Sequence, residues 1–187
     1  MISELIKKNR SYRRYDASRE ISREQLLSFV ENARFVASAA NLQRLRFTAV
    51  NDKESCDKIF SSLKFAGYLK EWSGPAPEER PAAYIIVSSK AELDGVLGID
   101  IGIAAEAITL AAAEAGVGAC MFRSYDAEVI SRFVPSEEQK PHLVISLGYP
   151  TERVYLTDSE NGNIKYYRDE KDDHAVPKLT LDELLLG

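Results

Sequence analysis

The sequence predicts an α+β fold with a mostly antiparallel central sheet flanked by helices. Three observations carry this. Helical patterns and β-branched runs follow one another without a regular βαβ rhythm. Three runs, RFTAV (46–50), AAYIIVSS (82–89) and HLVISLGY (142–149), have strand composition. One segment, 100–116, is helical in pattern yet apolar on nearly every face, so it has to be covered all round. The chain of 187 residues suits a single domain, 1–187.

Each element follows from local chemistry. Residues 3–9 can form a short opening helix. The first long helix begins near Ser22, where SREQ (22–25) is a capping box: the Ser22 hydroxyl accepts from the N3 amide and Gln25 reaches back. Leu26, Val30, Ala33 and Ala37 then recur at helical spacing, with Leu27 flanking. A shorter helix covers 53–65. In DIGIAAEAITLAAAEAG (100–116), Asp100 is the expected N-cap, and Gly116 is expected to end the helix in the left-handed conformation. Only Glu106, Thr109 and Glu114 interrupt its apolar surface, and a subunit interface buries such a helix more easily than a monomer does. Asp126 caps a helix running through Val134, and Pro135 stops it. TLDE (180–183) is a second capping box opening a terminal helix, and RDEKDD (168–173) reads as a solvated loop.

Composition narrows the function. The chain is 45% hydrophobic and 28% charged, and its net charge of −5 argues against a nucleic-acid partner. Cys56 and Cys120 form no C-x-x-C pair, which argues against a disulfide framework or a structural zinc, and no metal site is expected. The first residues lack the apolar core of a secretory signal, and no run of about 18 apolar residues is expected to span a membrane. A cytoplasmic protein is the expectation. There is no G-x-S-x-G, H-E-x-x-H, P-loop or G-x-G-x-x-G motif. With so few acid–base groups, an organic cofactor is the economical source of chemistry.

Three stretches could carry that chemistry. In RSYRRY (10–15), Arg10, Ser11 and Arg13 set a hydroxyl between two guanidiniums, which suits a phosphate. The same arginines could be solvated charges capping the helix before them. On an extended backbone Ser11 and Arg13 share a face while Arg14 points away. In SAANLQ (38–43), Asn41 and Gln43 alternate, so their amides could read the edge of a planar heterocycle; an ordinary helix-to-strand turn has the same composition. In GVGACMFRS (116–124), two glycines and a small, polarisable run let backbone amides approach a ligand. Cys120 has no histidine near it in sequence and reads as a packing residue. His142, at a strand start, and His174, in the polar loop, read as structural or solvated.

Taken in order, these pieces resemble the nitroreductase family of flavin-dependent oxidoreductases. They are RSYRRY, ASAANLQRLRF (37–47), GIDIGIAAEAITLAAAEAGVGACMFRSYD (98–126), LGYPTE (147–152) and VPKLTLDELL (176–185). The resemblance covers essentially the whole chain, and the insert at 65–87 is similar to a poorly described branch. It implies a nitroreductase-like fold and a homodimer with FMN at two interface sites. It also implies hydride from NADH or NADPH passing through flavin N5 to a small oxidised acceptor, nitroaromatic or quinone-like. Arg10, Ser11 and Arg13 would hold the FMN phosphate with Lys178, Arg13 also lying near the N1–C2=O edge. Ser38, Asn41 and Gln43 would reach the partner's flavin. Cys120, Met121 and Arg123 would lie over the isoalloxazine, with the Arg123 backbone N–H at N5. Tyr68, Leu69 and Trp72 would line the substrate cavity. The chain departs from the family pattern at Asn9, where many members have Arg and where Arg14 or Arg168 could substitute. It departs again at Ala37 in place of Pro, and at Arg44–Leu45 in place of Pro-Trp. The scaffold equally admits another flavin chemistry, such as a dehalogenase, dehydrogenase or flavin-cleaving enzyme, or a flavin carrier or sensor without turnover.

Overall fold

The structure, a computed structural model, describes residues 1–69 and 71–186; Lys70, inside the 65–87 insert, and Gly187 lie outside the described residues. The helices are α1 (Ile2–Lys8), α2 (Arg23–Phe35), α3 (Lys53–Ser62), α4 (Gly95–Glu114), α5 (Ala127–Ser131) and α6 (Leu181–Leu184). The strands are β1 (Arg46–Val50), β2 (Ala83–Ser89), β3 (Gly118–Phe122), β4 (Lys140–Gly148), β5 (Val154–Asp158), β6 (Tyr167–Arg168) and β7 (His174–Lys178).

The main sheet has the order β1-β2-β4-β3, and each neighbouring pair is antiparallel. The predicted α+β architecture therefore holds. Both faces of the sheet are covered. Ile85, Val87, Ile145 and Leu147 meet Leu26 and Phe29 of α2 and Leu97 and Ile108 of α4. Tyr84, Ile86, Val144 and Phe122, one residue out of phase, meet Ile59 of α3 and Ile130 of α5. This is why β2 reads as one continuous apolar run: every residue in it is buried.

The capping boxes at Ser22 and Thr180 form as predicted. The central helix does not start where expected. Asp94 is its N-cap, with Oδ1 accepting from the Leu97 N–H at 2.6 Å, so Asp100 lies inside the helix and is buried. Gly95 and Gly98, poor helix formers, hide the true start from a propensity reading. The end is as expected, with Gly116 at φ +76°. At 20 residues α4 is apolar and long enough to cross a membrane by length and composition, contrary to the sequence expectation. Here it packs against α2 and the sheet. Its cover is incomplete: Val96, Ile99 and Ile103 are exposed along one face.

Other boundaries shift as well. α3 stops at Ser62 and α5 at Ser131, short of residues 65 and 134. The run after Gly116, to which no element was assigned from sequence, forms strand β3. A second sheet, β5-β7-β6, was not anticipated; β5 runs parallel to β7, and β6 antiparallel. RDEKDD supplies Arg168 of β6 and the turn into β7.

Candidate functional site

The arginine stretch lies across the end of β3 and β4, and two glycines put it there. Gly118 and Gly148 face each other across the strand pair. A Cβ on Gly118 would sit 2.6 Å from Pro150 Cγ and 2.8 Å from the Tyr12 ring; one on Gly148 would sit 2.7 Å from the Tyr15 ring. No larger residue fits at either place. Tyr15 is fully buried, with its hydroxyl 2.9 Å from Ser146 Oγ. Ser11 bridges Ala119, and the Tyr12 N–H donates to the Ala119 carbonyl at 3.0 Å. Glu152 anchors the stretch from beneath. It accepts from the backbone N–H groups of Arg13 (2.5 Å) and Arg14 (3.0 Å) and pairs with Arg168 at 2.6 Å.

The three arginines then separate. Arg10 donates to the Ile6 carbonyl at 2.7 Å, which caps α1 as one reading foresaw, while its buried Nε has no partner among the described residues. Arg13 has no carboxylate partner among the described residues; its Nη1 donates to the Ser11 carbonyl (3.2 Å) and to His174 Nε2 (3.3 Å), and its guanidinium lies 4.9 Å from the Tyr166 ring centre. Arg14 is consumed by Asp172 and Glu79. Arg168 is held by Glu152 and Asp172. Neither Arg14 nor Arg168 is free to replace the contact missing at Asn9. Asn9 itself donates to Glu106 Oε1 (3.1 Å) and Thr109 Oγ1 (2.9 Å).

β3 is an edge strand, and among the described residues its outer edge carries only the bridge from Ser11 to Ala119. Two cavities meet along that edge. One, about 250 Å³, is lined by Arg10, Ser11, Glu106, Thr109, Cys120 and Met121. The other, about 110 Å³, is lined by Arg13, Lys64, Met121, Phe122 and Arg123 among others. Cys120 and Met121 belong to both. The structure thus brings Arg10, Ser11, Arg13, Cys120, Met121 and Arg123 to one strip. Arg123 lies one residue past the last rung, Phe122–Val144. Lys178 is not in that strip within the chain; it is exposed at the end of β7, opposite Asp158.

Burial pushes the Cys120 thiol up, and nearby Arg13 only partly offsets this, which disfavours a thiolate there. Cys56 is pushed up to about 12 by burial. His174 corrects a sequence reading: it begins β7 and is 1% exposed, not set in a polar loop. Burial, then the charge of Arg13, lowers its pKa to about 4, so the ring is neutral and its Nε2 can accept from Arg13.

Ser38, Asn41 and Gln43 line a different cavity, about 290 Å³, with Asp100 and Arg44. Along α4, Asp100 precedes Glu106 and Thr109 by about 9–14 Å at the helical rise. The loop is strained: Ala40, Asn41 and Gln43 have φ of +47°, +54° and +48°. Three contacts hold it. The Ala39 N–H donates to Asp100 Oδ1 at 2.9 Å, the Gln43 N–H donates to Ser38 Oγ at 3.2 Å, and Arg44 lies 3.5 Å from Asp100 Oδ2. Asn41, Leu42 and Gln43 project outward and are exposed. Within one chain this loop and the β3-edge strip therefore line separate cavities. Glu152, Lys64 and Tyr166 were not singled out from sequence; only the LGYPTE motif pointed toward Glu152. Among the described residues no group of three or more His, Cys, Asp or Glu could hold a metal ion.

The chain is thus an α+β protein whose antiparallel sheet ends in an edge strand flanked by Arg10, Arg13, Lys64 and Arg123. Comparison gives the family. The nitroreductase family model matches residues 6–149, so the chain belongs to the nitroreductase family. Solved structures agree on the fold. A nitroreductase family protein of Streptococcus pneumoniae TIGR4 aligns with TM-score 0.71 at 15% identity over 100% of both chains. One from Clostridium difficile 630 gives 0.66 at 20% identity over 98% of this chain and 95% of that one. An FMN-dependent nitroreductase of Clostridium difficile R20291 gives 0.64 at 24% identity over 87% and 92%. No curated protein matches the chain. The second sheet lies beyond the matched residues.

Proposed function

We propose that the protein is an FMN-dependent oxidoreductase that uses NADH or NADPH to reduce a small nitroaromatic or quinone-like acceptor. The carrying observation is the division of the arginines. Arg10 and Arg13, neither paired with a carboxylate among the described residues, flank Ser11, whereas Arg14 and Arg168 are paired with Asp172 and Glu152. Two uncompensated guanidiniums beside a hydroxyl fit a phosphate. Glu106 in the same cavity is a cost, moderated by Asn9, which donates to it.

When bound, FMN would supply the redox chemistry, hydride in and out at N5. The chain's own residues bind and orient. Arg10 and Ser11 would hold the phosphate. Arg13, braced by Glu152 through its backbone and by His174 through its side chain, would place a positive charge where a reduced flavin carries negative charge. The unpaired edge at Cys120–Arg123 would offer backbone N–H groups, that of Arg123 toward N5. No side chain is needed as a nucleophile.

The separation of that loop from the β3-edge strip supports a homodimer in which Ser38, Asn41 and Gln43 of one subunit complete the other's flavin site. The exposed stripe Val96–Ile99–Ile103 and the projecting Phe35 and Leu42 are the surfaces such a dimer would cover. The direct test is to release the cofactor by heat, identify it by chromatography, and measure NAD(P)H oxidation with a nitroaromatic or quinone. FMN with acceptor-dependent turnover is expected. FAD, or no flavin after reconstitution with FMN, would overturn the reading.

A further inference from the structure

The smaller cavity on the β3 edge holds a group that the cofactor reading leaves without a task. Lys64 enters it from the segment after α3, facing Arg123 from the segment after β3 and Arg13 from the opening stretch. Three cations from three parts of a chain with net charge −5 share a cavity with no acidic residue in its lining. Lys64 and Arg123 have no salt bridge or side-chain hydrogen bond among the described residues. Glu152, which holds the backbone of the arginine stretch, is spent on Arg168 and two backbone amides. His174, neutral, adds no competing charge.

The placement is built rather than incidental. Leu63 bridges Tyr125, the Lys64 N–H donates to the Ser124 carbonyl at 2.9 Å, and the Asp126 N–H donates to the Ser62 carbonyl at 3.0 Å. This pairing fixes the backbones of Lys64 and Arg123 relative to each other. Just past Lys64, Phe65 packs on Phe122 with ring centres 4.9 Å apart and on Trp72 at 6.1 Å. Ala66, buried in the cavity wall, has φ +40°, a strained geometry for a residue with a Cβ. Lys64 is thus held on a short, anchored and strained turn facing the strip shared with Met121.

We propose that Lys64, with Arg123, forms a subsite for the anionic group of the acceptor, so that the preferred acceptors are small aromatic or quinoid compounds bearing a carboxylate. This rests on the oxidoreductase reading above and adds the class of acceptor to it. The cations attract and orient the carboxylate while the acceptor's reducible group lies along the β3 edge. Both side chains are exposed, so the effect is partly screened and weakens as salt rises.

The test compares 4-nitrobenzoate with 4-nitrobenzamide, near-isosteres that differ in charge, on the FMN-loaded protein and its Lys64→Gln and Lys64→Arg variants. Wild type is expected to favour the benzoate in kcat/KM by about tenfold at low salt. Lys64→Gln should lower the benzoate value about five- to tenfold and leave the benzamide within about twofold, with Lys64→Arg retaining most of the preference. The expected loss is the same with NADH and NADPH. Equal loss on both acceptors, no wild-type preference, loss of FMN from Lys64→Gln, or a loss confined to NADPH would each overturn the subsite; the last would assign Lys64 to the nucleotide phosphate. If neither acceptor is turned over, the redox reading fails. The subsite is then judged by calorimetric binding of 4-nitrobenzoate alone, which Lys64→Gln must weaken.

Discussion

Arg13 and Arg14 are adjacent and have opposite fates, one without a carboxylate on the β3 edge, the other locked to Asp172 and Glu79. Arg13→Ala should therefore weaken FMN binding about ten- to hundredfold, the loss of one charge-assisted contact. Arg14→Ala should chiefly lower stability. Fluorescence titration of the apo-variants separates them, and a larger loss for Arg14→Ala would mean the register is wrong. His174 gives a pH signature. Its folded pKa of about 4 lies below the ordinary 6.5, so the neutral ring favours the fold above pH 6.5. That contribution, on the order of 2–3 kcal/mol, is lost as pH falls from about 6.5 to 4, where only the unfolded chain takes up the proton. Urea unfolding at stepped pH should show this slope in wild type and not in His174→Gln; parallel curves would refute it. That Arg13 and Arg14 would face different surroundings was legible because alternation along an extended backbone is local. The burial of His174 and Glu152 was not, because it depends on a sheet contributed by a distant part of the chain.

At the scale of elements, α4 shows what composition reveals and what it hides. An almost wholly apolar helix signalled a buried element, yet its exposed stripe at Val96, Ile99 and Ile103 appears only once α2 and the sheet are in place. Two substitutions divide its roles. Ile108 is fully buried in the core, so Ile108→Glu should cost several kcal/mol and unfold the protein. Ile99 is 63% exposed, so Ile99→Glu should leave the fold intact and dissociate the proposed dimer. Circular dichroism with sedimentation velocity reads both, and an Ile99→Glu protein that sediments like wild type would remove this face from the interface. β1, β2 and β4 were legible as apolar runs between turns. β3 was not, because Gly118 and the small residues after it lack strand propensity; its pairing with β4 and its close approach to Tyr12 determine it. The second sheet was missed for a similar reason: β5 and β6 are short and half exposed, and β7 carries Pro177.

Across the molecule, the proposed sites would draw on two chains, since Arg10 and Ser11 share a cavity with Glu106 and Thr109 of α4 while the Ser38–Gln43 loop lies with Asp100 and Ala104. Mixing an Arg13→Ala chain with an Asn41→Ala, Gln43→Ala chain should give hybrids in which one site carries both defects and the other none. About half of the flavin in these hybrids should then bind with wild-type affinity, whereas sites contained in single chains would leave no tight fraction. The central claim, that this family member is a working flavin oxidoreductase, is tested most directly by anaerobic spectroscopy. FMN-loaded protein is mixed with NADH or NADPH, and a nitroaromatic acceptor is then added. The account predicts that the visible flavin absorption bleaches with the nucleotide and returns with the acceptor. Absorption that stays unchanged with both nucleotides would contradict it.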